Sequence, residues 1–298
     1  MYSGTISPNP TRDRYTLKRV SLIQVLVMKV LLATLIAPLA SLFMAVAAQA
    51  ELRTQVVEYN HGNTILEGYL AYDDEFKGPR PGVLIVHEWT GLGTYVKQRA
   101  DQLAKLGYVA FAADIYGKGI RPDNPKDAAT QAGIYRADRQ LLRDRATTSL
   151  AVLKKNPLAN PEQIAAIGYC FGGGTVLELA RSGAPIAGVV SFHGNLDTPN
   201  PADAKNIQAK VLVLHGAIDP YVPPEQVAAF EKEMNAAKVD WQLISYGGGV
   251  VIALPIRRLV TTPQRVPLTT KRLIGDRLPT CCSSLKNCFL LLQRKRLP

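Results

Sequence analysis

The order of apolar segments predicts an α/β protein, a mostly parallel sheet covered by helices on both faces. Three observations carry that expectation. Strand-like and helix-like stretches alternate from Glu51 to about Gly249. Several strand stretches, such as "PGVLIVHE" and "AKVLVLHG", are apolar throughout rather than alternating, as strands buried on both faces are. Glycine and proline punctuate the junctions, and nothing divides residues 51–249 into separate domains or repeats.

Taken in order, "TQVVEY" and "TILEGYLAY" form an opening hairpin with His61-Gly62-Asn63 at its turn. "PGVLIVHE" is the next strand, and "YVKQRADQLAKLGY" has helical spacing and stops at Gly107. "YVAFAAD" is a strand followed by a loop rich in Gly, Pro and Asp. One long helix is expected from about Ala128 to Lys155, with Tyr135, Leu142, Ala146, Leu150 and Leu153 along its buried face. "QIAAIGYC" is a strand that runs into glycines, with "TVLELARSG" the helix after it. "IAGVVSFHG" and "AKVLVLHG" are strands, "PEQVAAFEKEMNAAK" a helix and "DWQLISY" a last strand.

The formal charge of +11 would suit a nucleic-acid or anionic-membrane partner, but its distribution argues against one. Five of the 35 Lys and Arg lie in residues 1–50 and ten in residues 251–298, with one Asp in each segment, so the body keeps 20 basic against 22 acidic residues. Residues 1–27 are polar and unpatterned, and Met28 reads as a natural start. Met28-Lys29, the run "VLLATLIAPLASLFMAVA" and "AQA" at 48–50 have the pattern of a signal peptide over 28–50. Cleavage after Ala50 would release the protein to the periplasm or outside, with no stable membrane association; an uncleaved anchor is the competing reading. Cys170 is alone in the body. Cys281, Cys282 and Cys288 lie together in the tail without the spacing or histidines of a zinc site.

Gly168-Tyr169-Cys170-Phe171-Gly172 stands at a strand-to-helix junction, the context of a nucleophile elbow. There the apex side chain projects above the sheet at a helix start, where backbone N–H groups favour a thiolate and a developing oxyanion. A buried structural cysteine is the plainer alternative. Asp219, in "HGAIDPYVPPEQ", follows a strand end as the acid of a hydrolytic triad would, although a loop Asp before a helix also serves as a cap. "VHEWTGLG" ends another strand, and its loop would offer a second oxyanion donor, the N–H of Trp89 beside that of Phe171.

Together, Gly168–Gly174, "HEWTGL" and "LHGAIDPYVP" resemble the dienelactone hydrolase (carboxymethylenebutenolidase) family of α/β-hydrolases, over about Leu52 to Gly248. The resemblance implies the α/β-hydrolase fold and cleavage of a small ester or enol-lactone through a cysteine acyl-enzyme, with no metal or organic cofactor. By position it makes Cys170 the nucleophile, Asp219 the acid and Glu88 the glutamate that interacts with the resting thiol. It also makes Lys118, in "DIYGKG", a candidate for binding a substrate carboxylate where the family has an arginine.

The resemblance demands a histidine after the last strand, and none of His61, His87, His193 and His215 lies there. Around Val251 stands "VIALPIR". Those residues can be encoded GTC ATA GCT TTA CCA ATC CG, and reading from the third base gives His-Ser-Phe-Thr-Asn-Pro. The expectation is a reading-frame slip near Gly249, residues 250–298 being an aberrant, disordered tail and the terminal loop and helix lost. As written, the chain would have impaired activity. The rival reading is a non-catalytic protein that keeps the fold and binds a ligand in the old pocket.

Overall fold

The opening hairpin forms as its composition requires. In the computed structural model, which describes residues 51–247, β1 (Leu52–His61) and β2 (Thr64–Asp73) pair antiparallel with His61 opposite Thr64. Gly62 takes φ +56° in the turn, a backbone state open to glycine at little cost. The chain continues through β3 (Arg80–Val86), α1 (Thr94–Ala104), β4 (Val109–Ala113), α2 (Pro125–Ala137), α3 (Arg139–Lys155), β5 (Ala159–Tyr169) and α4 (Phe171–Arg181). It ends with β6 (Gly188–Phe192), a 3-10 turn over Pro201–Asn206, β7 (Lys210–Gly216), α5 (Pro224–Ala236) and β8 (Trp241–Tyr246).

The eight strands form one sheet in the order β1-β2-β4-β3-β5-β6-β7-β8. β2 pairs antiparallel with both neighbours, and every pairing from β4 to β8 is parallel. The uninterrupted apolar runs explain this: β3, β4 and β5 bury both faces, so each needs helices above and below. On one face Leu84, Val86, Phe111, Ile164 and Val189 pack against Leu142, Leu150 and Leu153 of α3, Val176 of α4 and Phe230 of α5. On the other, Val83, Ile85, Ala165 and Ile167 pack against Val96, Ala100 and Leu103 of α1.

The long helix expected over 128–155 is two helices. Asp138 leaves helical geometry (φ −110°, ψ 86°), and its carboxylate accepts from the Leu141 N–H, capping α3 while its own N–H closes α2 on the Ile134 carbonyl. An acidic cap satisfies an otherwise unpaired first-turn donor, and apolar spacing carries no sign of it. The five residues expected on the buried face are all buried nonetheless.

A buried ionic cluster ties α3, α4 and α5 together. Arg181 makes contacts of 2.8–2.9 Å with Glu233 and Glu178, and Arg143 bridges Glu178 and Asp203. No described helix is long and apolar enough to cross a membrane. The extension 1–27, the leader 28–50, the tail cysteines and the frame-slip segment lie outside the described residues.

Candidate active site

The elbow forms because four glycines let backbones meet. A Cβ on Gly168 would stand 1.9 Å from the Gly172 carbonyl oxygen, and one on Gly172 would stand 2.3 Å from the Val86 oxygen. A Cβ on Gly173 would stand 2.8 Å from the Gly194 Cα, and one on Gly194 would stand 2.5 Å from the Gly173 carbonyl carbon. This crowding seats the start of α4 on the ends of β3 and β6 and drives Cys170 to φ +54°, ψ −115°, a strained state for a residue with a side chain. Hydrogen bonds hold it there: the Cys170 N–H donates to the Phe192 carbonyl at 2.9 Å, and the Cys170 carbonyl accepts from Gly173 at 2.9 Å.

Cys170 is half-buried and a free thiol. Burial pushes the thiol above its ordinary range and is the largest influence on it. The Phe171 backbone N–H and the charge of Arg136 act the other way, whereas Glu88 and Asp219 reinforce the rise. The helix start therefore favours a thiolate as expected, but burial and two carboxylates outweigh it. Such a thiol stays protonated at neutral pH and requires a base.

The neighbouring strand ends supply the rest. His87, at the end of β3, is fully buried: its Nδ1 faces the Glu88 carbonyl at 2.6 Å and its Nε2 accepts from the Ile115 N–H. Burial lowers its pKa to about 4, so it is a neutral packing residue joining β3 to β4. Half-buried Glu88 is held above the usual carboxylate range by desolvation, with Arg99 countering. The Trp89 carbonyl accepts from the Tyr116 hydroxyl at 3.0 Å, and the Trp89 N–H donates to no described residue. Tyr116 also packs on Phe171 (5.3 Å between ring centroids) and on Tyr135 (5.2 Å). One aromatic cluster thus positions both expected oxyanion donors.

Asp219 lies just past β7 and is 5% exposed. Its Oδ1 accepts from the Tyr221 N–H at 2.9 Å, which holds the loop, and its buried Oδ2 has no partner among the described residues. His193, at the end of β6, and His215, in β7, both feel the Asp219 charge, and burial depresses both. Lys118 is an exposed residue whose amine pairs with Glu58 of β1, and its charge is not among those acting on Cys170. The cation that does act there, Arg136 at the end of α2, is exposed and forms no ion pair among the described residues. Sequence reasoning missed it because a lone arginine at a helix end has no distinguishing spacing. It missed Tyr116 for the same reason. Among the described residues, no group of three or more His, Cys, Asp or Glu is arranged to hold a metal ion.

The geometry has counterparts in known proteins. The model of the dienelactone hydrolase family matches residues 66–250. Protein usf of Aquifex pyrophilus is 30% identical over 201 residues, 65% of this chain and 84% of that protein. A protein of Aquifex aeolicus provisionally named carboxymethylenebutenolidase is 29% identical, over 65% of this chain and 84% of its own. Among solved structures, the dienelactone hydrolase-like promiscuous phosphotriesterase P91, from metagenomic libraries, superposes with a TM-score of 0.70 at 37% identity. That match covers 81% of this chain and 98% of P91. With its family model spanning more than half of its length and its sheet ordered as described, the chain belongs to the dienelactone hydrolase family, hydrolases of lactones and esters built on the α/β-hydrolase fold.

Proposed function

We propose that the protein is an exported hydrolase of small carboxylic esters or lactones that works through a Cys170 acyl-enzyme. The observation that carries this reading is the strained backbone of Cys170, φ +54°, with the adjoining Phe171 N–H directed to the thiol. A structural cysteine would gain nothing from such strain, whereas a nucleophile gains exposure above the sheet and a donor for the developing oxyanion.

In this mechanism the substrate carbonyl oxygen sits between the N–H groups of Phe171 and Trp89. Cys170 sulfur attacks the carbonyl carbon, and the C–O bond to the leaving alcohol breaks to give a thioester, ring-opened for a lactone. Water then releases the acid. Asp219 holds and stabilises the imidazole that shuttles the proton. Glu88, its carboxyl held above the usual range by desolvation, engages the resting thiol. Arg136 attracts an anionic substrate by charge. The exposed apolar side chains of Ile218 and Tyr221, flanking Asp219, suit a small, partly apolar substrate. No cofactor takes part. The likeness to P91 makes phosphotriesters a second class to assay.

An activated ester such as p-nitrophenyl acetate tests this. The reading predicts a burst of one nitrophenolate per chain and a mass increase of one acetyl group, both lost in Cys170→Ala. Ligand binding without an adduct would favour the non-catalytic alternative. Resequencing the DNA across codons 245–258 tests the frame slip, since a one-base change there restores a histidine near position 251. N-terminal sequencing of the mature protein tests cleavage after Ala50.

A further inference from the structure

We infer that His193, paired with Asp219, is the base that accepts the Cys170 proton in the chain as its sequence stands. This rests on the reading of Cys170 as a reactive thiol. Two unpartnered atoms point to it. His193 is 9% exposed and its buried Nε2 has no hydrogen-bond partner among the described residues, and neither has the buried Oδ2 of Asp219. One is a potential donor and the other an acceptor, and the two groups lie within electrostatic reach of each other.

Sheet register places His193 between nucleophile and acid. Tyr169 of β5 pairs with Phe192 of β6, which pairs with Leu214 of β7. The next residues, Cys170, His193 and His215, therefore stand side by side at the carboxyl edge of the sheet. Two hydrogen bonds secure the row, Cys170 N–H to the Phe192 carbonyl at 2.9 Å and His193 N–H to the Leu214 carbonyl at 2.8 Å. His193 has φ +42°, and with Cys170 and Lys238 it completes the non-glycine residues of positive φ among those described. Two adjacent strained residues at one sheet edge mark a site rather than a turn.

The chemistry balances. Nε2 and Oδ2 are not bonded to each other in the structure; once a turn of the imidazole lets Nε2–H donate to Asp219 Oδ2, Nδ1 keeps a lone pair. The Cys170 S–H bond breaks, its proton moves to Nδ1, and the sulfur electron pair forms the bond to the carbonyl carbon. When the C–O bond breaks, the leaving alcohol takes that proton, and water repeats the sequence on the thioester. Asp219 is the charged group that acts on His193, and burial keeps the imidazole below its ordinary range, hence neutral and able to accept at neutral pH.

Alkylation of Cys170 by iodoacetamide in the full-length protein, followed by mass spectrometry from about pH 5 to about pH 10, tests the pairing without any ester. A thiol with no base would react along a line rising tenfold per pH unit up to its raised pKa and level off above it. The wild type is expected to depart from that line on a plateau around neutrality. His193→Asn, which tolerates a left-handed backbone, should lower the rate at pH 7 by about 100-fold and restore the line. Free imidazole should recover part of the loss, and near-UV circular dichroism checks the fold. A plateau that survives in His193→Asn, vanishes instead in His215→Asn, or is absent from the wild type overturns the inference. The ester burst reports separately. A burst retained in Cys170→Ala defeats the reading of Cys170 as the nucleophile, whereas an intact alkylation plateau in a protein with no burst keeps His193 as base and removes only the ester activity.

Discussion

Gly168 shows how little room the elbow leaves at the scale of a residue. Its missing Cβ would overlap backbone 1.9 Å away, and backbone cannot rotate aside as a side chain would. Gly168→Ala is expected to destabilise the fold by roughly 4 kcal/mol, measured by urea denaturation, placing it in the exceptional tail of single substitutions. Gly62→Ala, with open space around the Cβ, should cost only the positive-φ penalty of about 1 kcal/mol. Arg136 acts by charge alone. Arg136→Ala should raise KM for a carboxylate-bearing lactone roughly fivefold at low salt and leave kcat nearly unchanged. The difference should fade at high salt. An unaltered KM would place the substrate anion elsewhere, and Lys118→Ala then becomes the informative variant.

Among the elements, the β3–β4 junction carries the clearest pH dependence. His87 is locked neutral between the Glu88 carbonyl and the Ile115 N–H, and its pKa falls from 6.5 to about 4. Unfolding frees it to take a proton at its ordinary pKa. The unfolded chain thus binds more protons between those values, and stability is full above pH 6.5 and is lost as pH falls toward 4. At about 1.4 kcal/mol per unit, the loss through this group is about 3 kcal/mol. His193 and His215, also depressed by burial, act with the same sign. Equilibrium unfolding at stepped pH should show this slope, and His87→Asn should flatten it while lowering the midpoint at pH 7. An equally steep slope in the variant would place the acid sensitivity elsewhere. The break between α2 and α3 belongs to this scale too. Asp138 both ends one helix and caps the next, which lets α2 carry Tyr135 and Arg136 toward the site while α3 lies along the sheet.

Across the whole molecule, the Arg181 cluster joins three helices to one face of the sheet. Its guanidinium donates to Glu178, to both Glu233 oxygens and to the Leu196 carbonyl while almost completely buried. Arg181→Met would strand Glu233 in the interior and leave Glu178 with Arg143 alone. The expected cost is about 3–5 kcal/mol by chemical denaturation, more than the loss of a comparable apolar contact. Replacing Arg181, Glu178 and Glu233 together by apolar residues of similar volume should recover much of it, whereas a triple variant no more stable than the single one would show that the charges organise the helices. The opposite face is more thinly covered. Among the described residues α1 packs there, while half-buried Phe192 and Leu214 and exposed Ile244 lie farther along it in register.

Sequence alone was enough for the fold class, the eight strands and the place of the thiol. Uninterrupted apolar runs, helical spacing and glycine-flanked Cys170 are local properties, and local properties are written in linear order. The split at Asp138 was not legible, because a cap changes backbone direction without disturbing apolar period. Site electrostatics were not legible either. That burial outweighs the helix start at Cys170, that Lys118 turns to Glu58, and that Arg136 is the cation acting on the thiol are consequences of distance between residues far apart in the chain. His193 is the sharpest case: in sequence it only ends a strand, and sheet order sets that strand between those that carry Cys170 and lead to Asp219. Which strands become neighbours is decided by the packing of helices on both faces, and that is a property of the assembled chain.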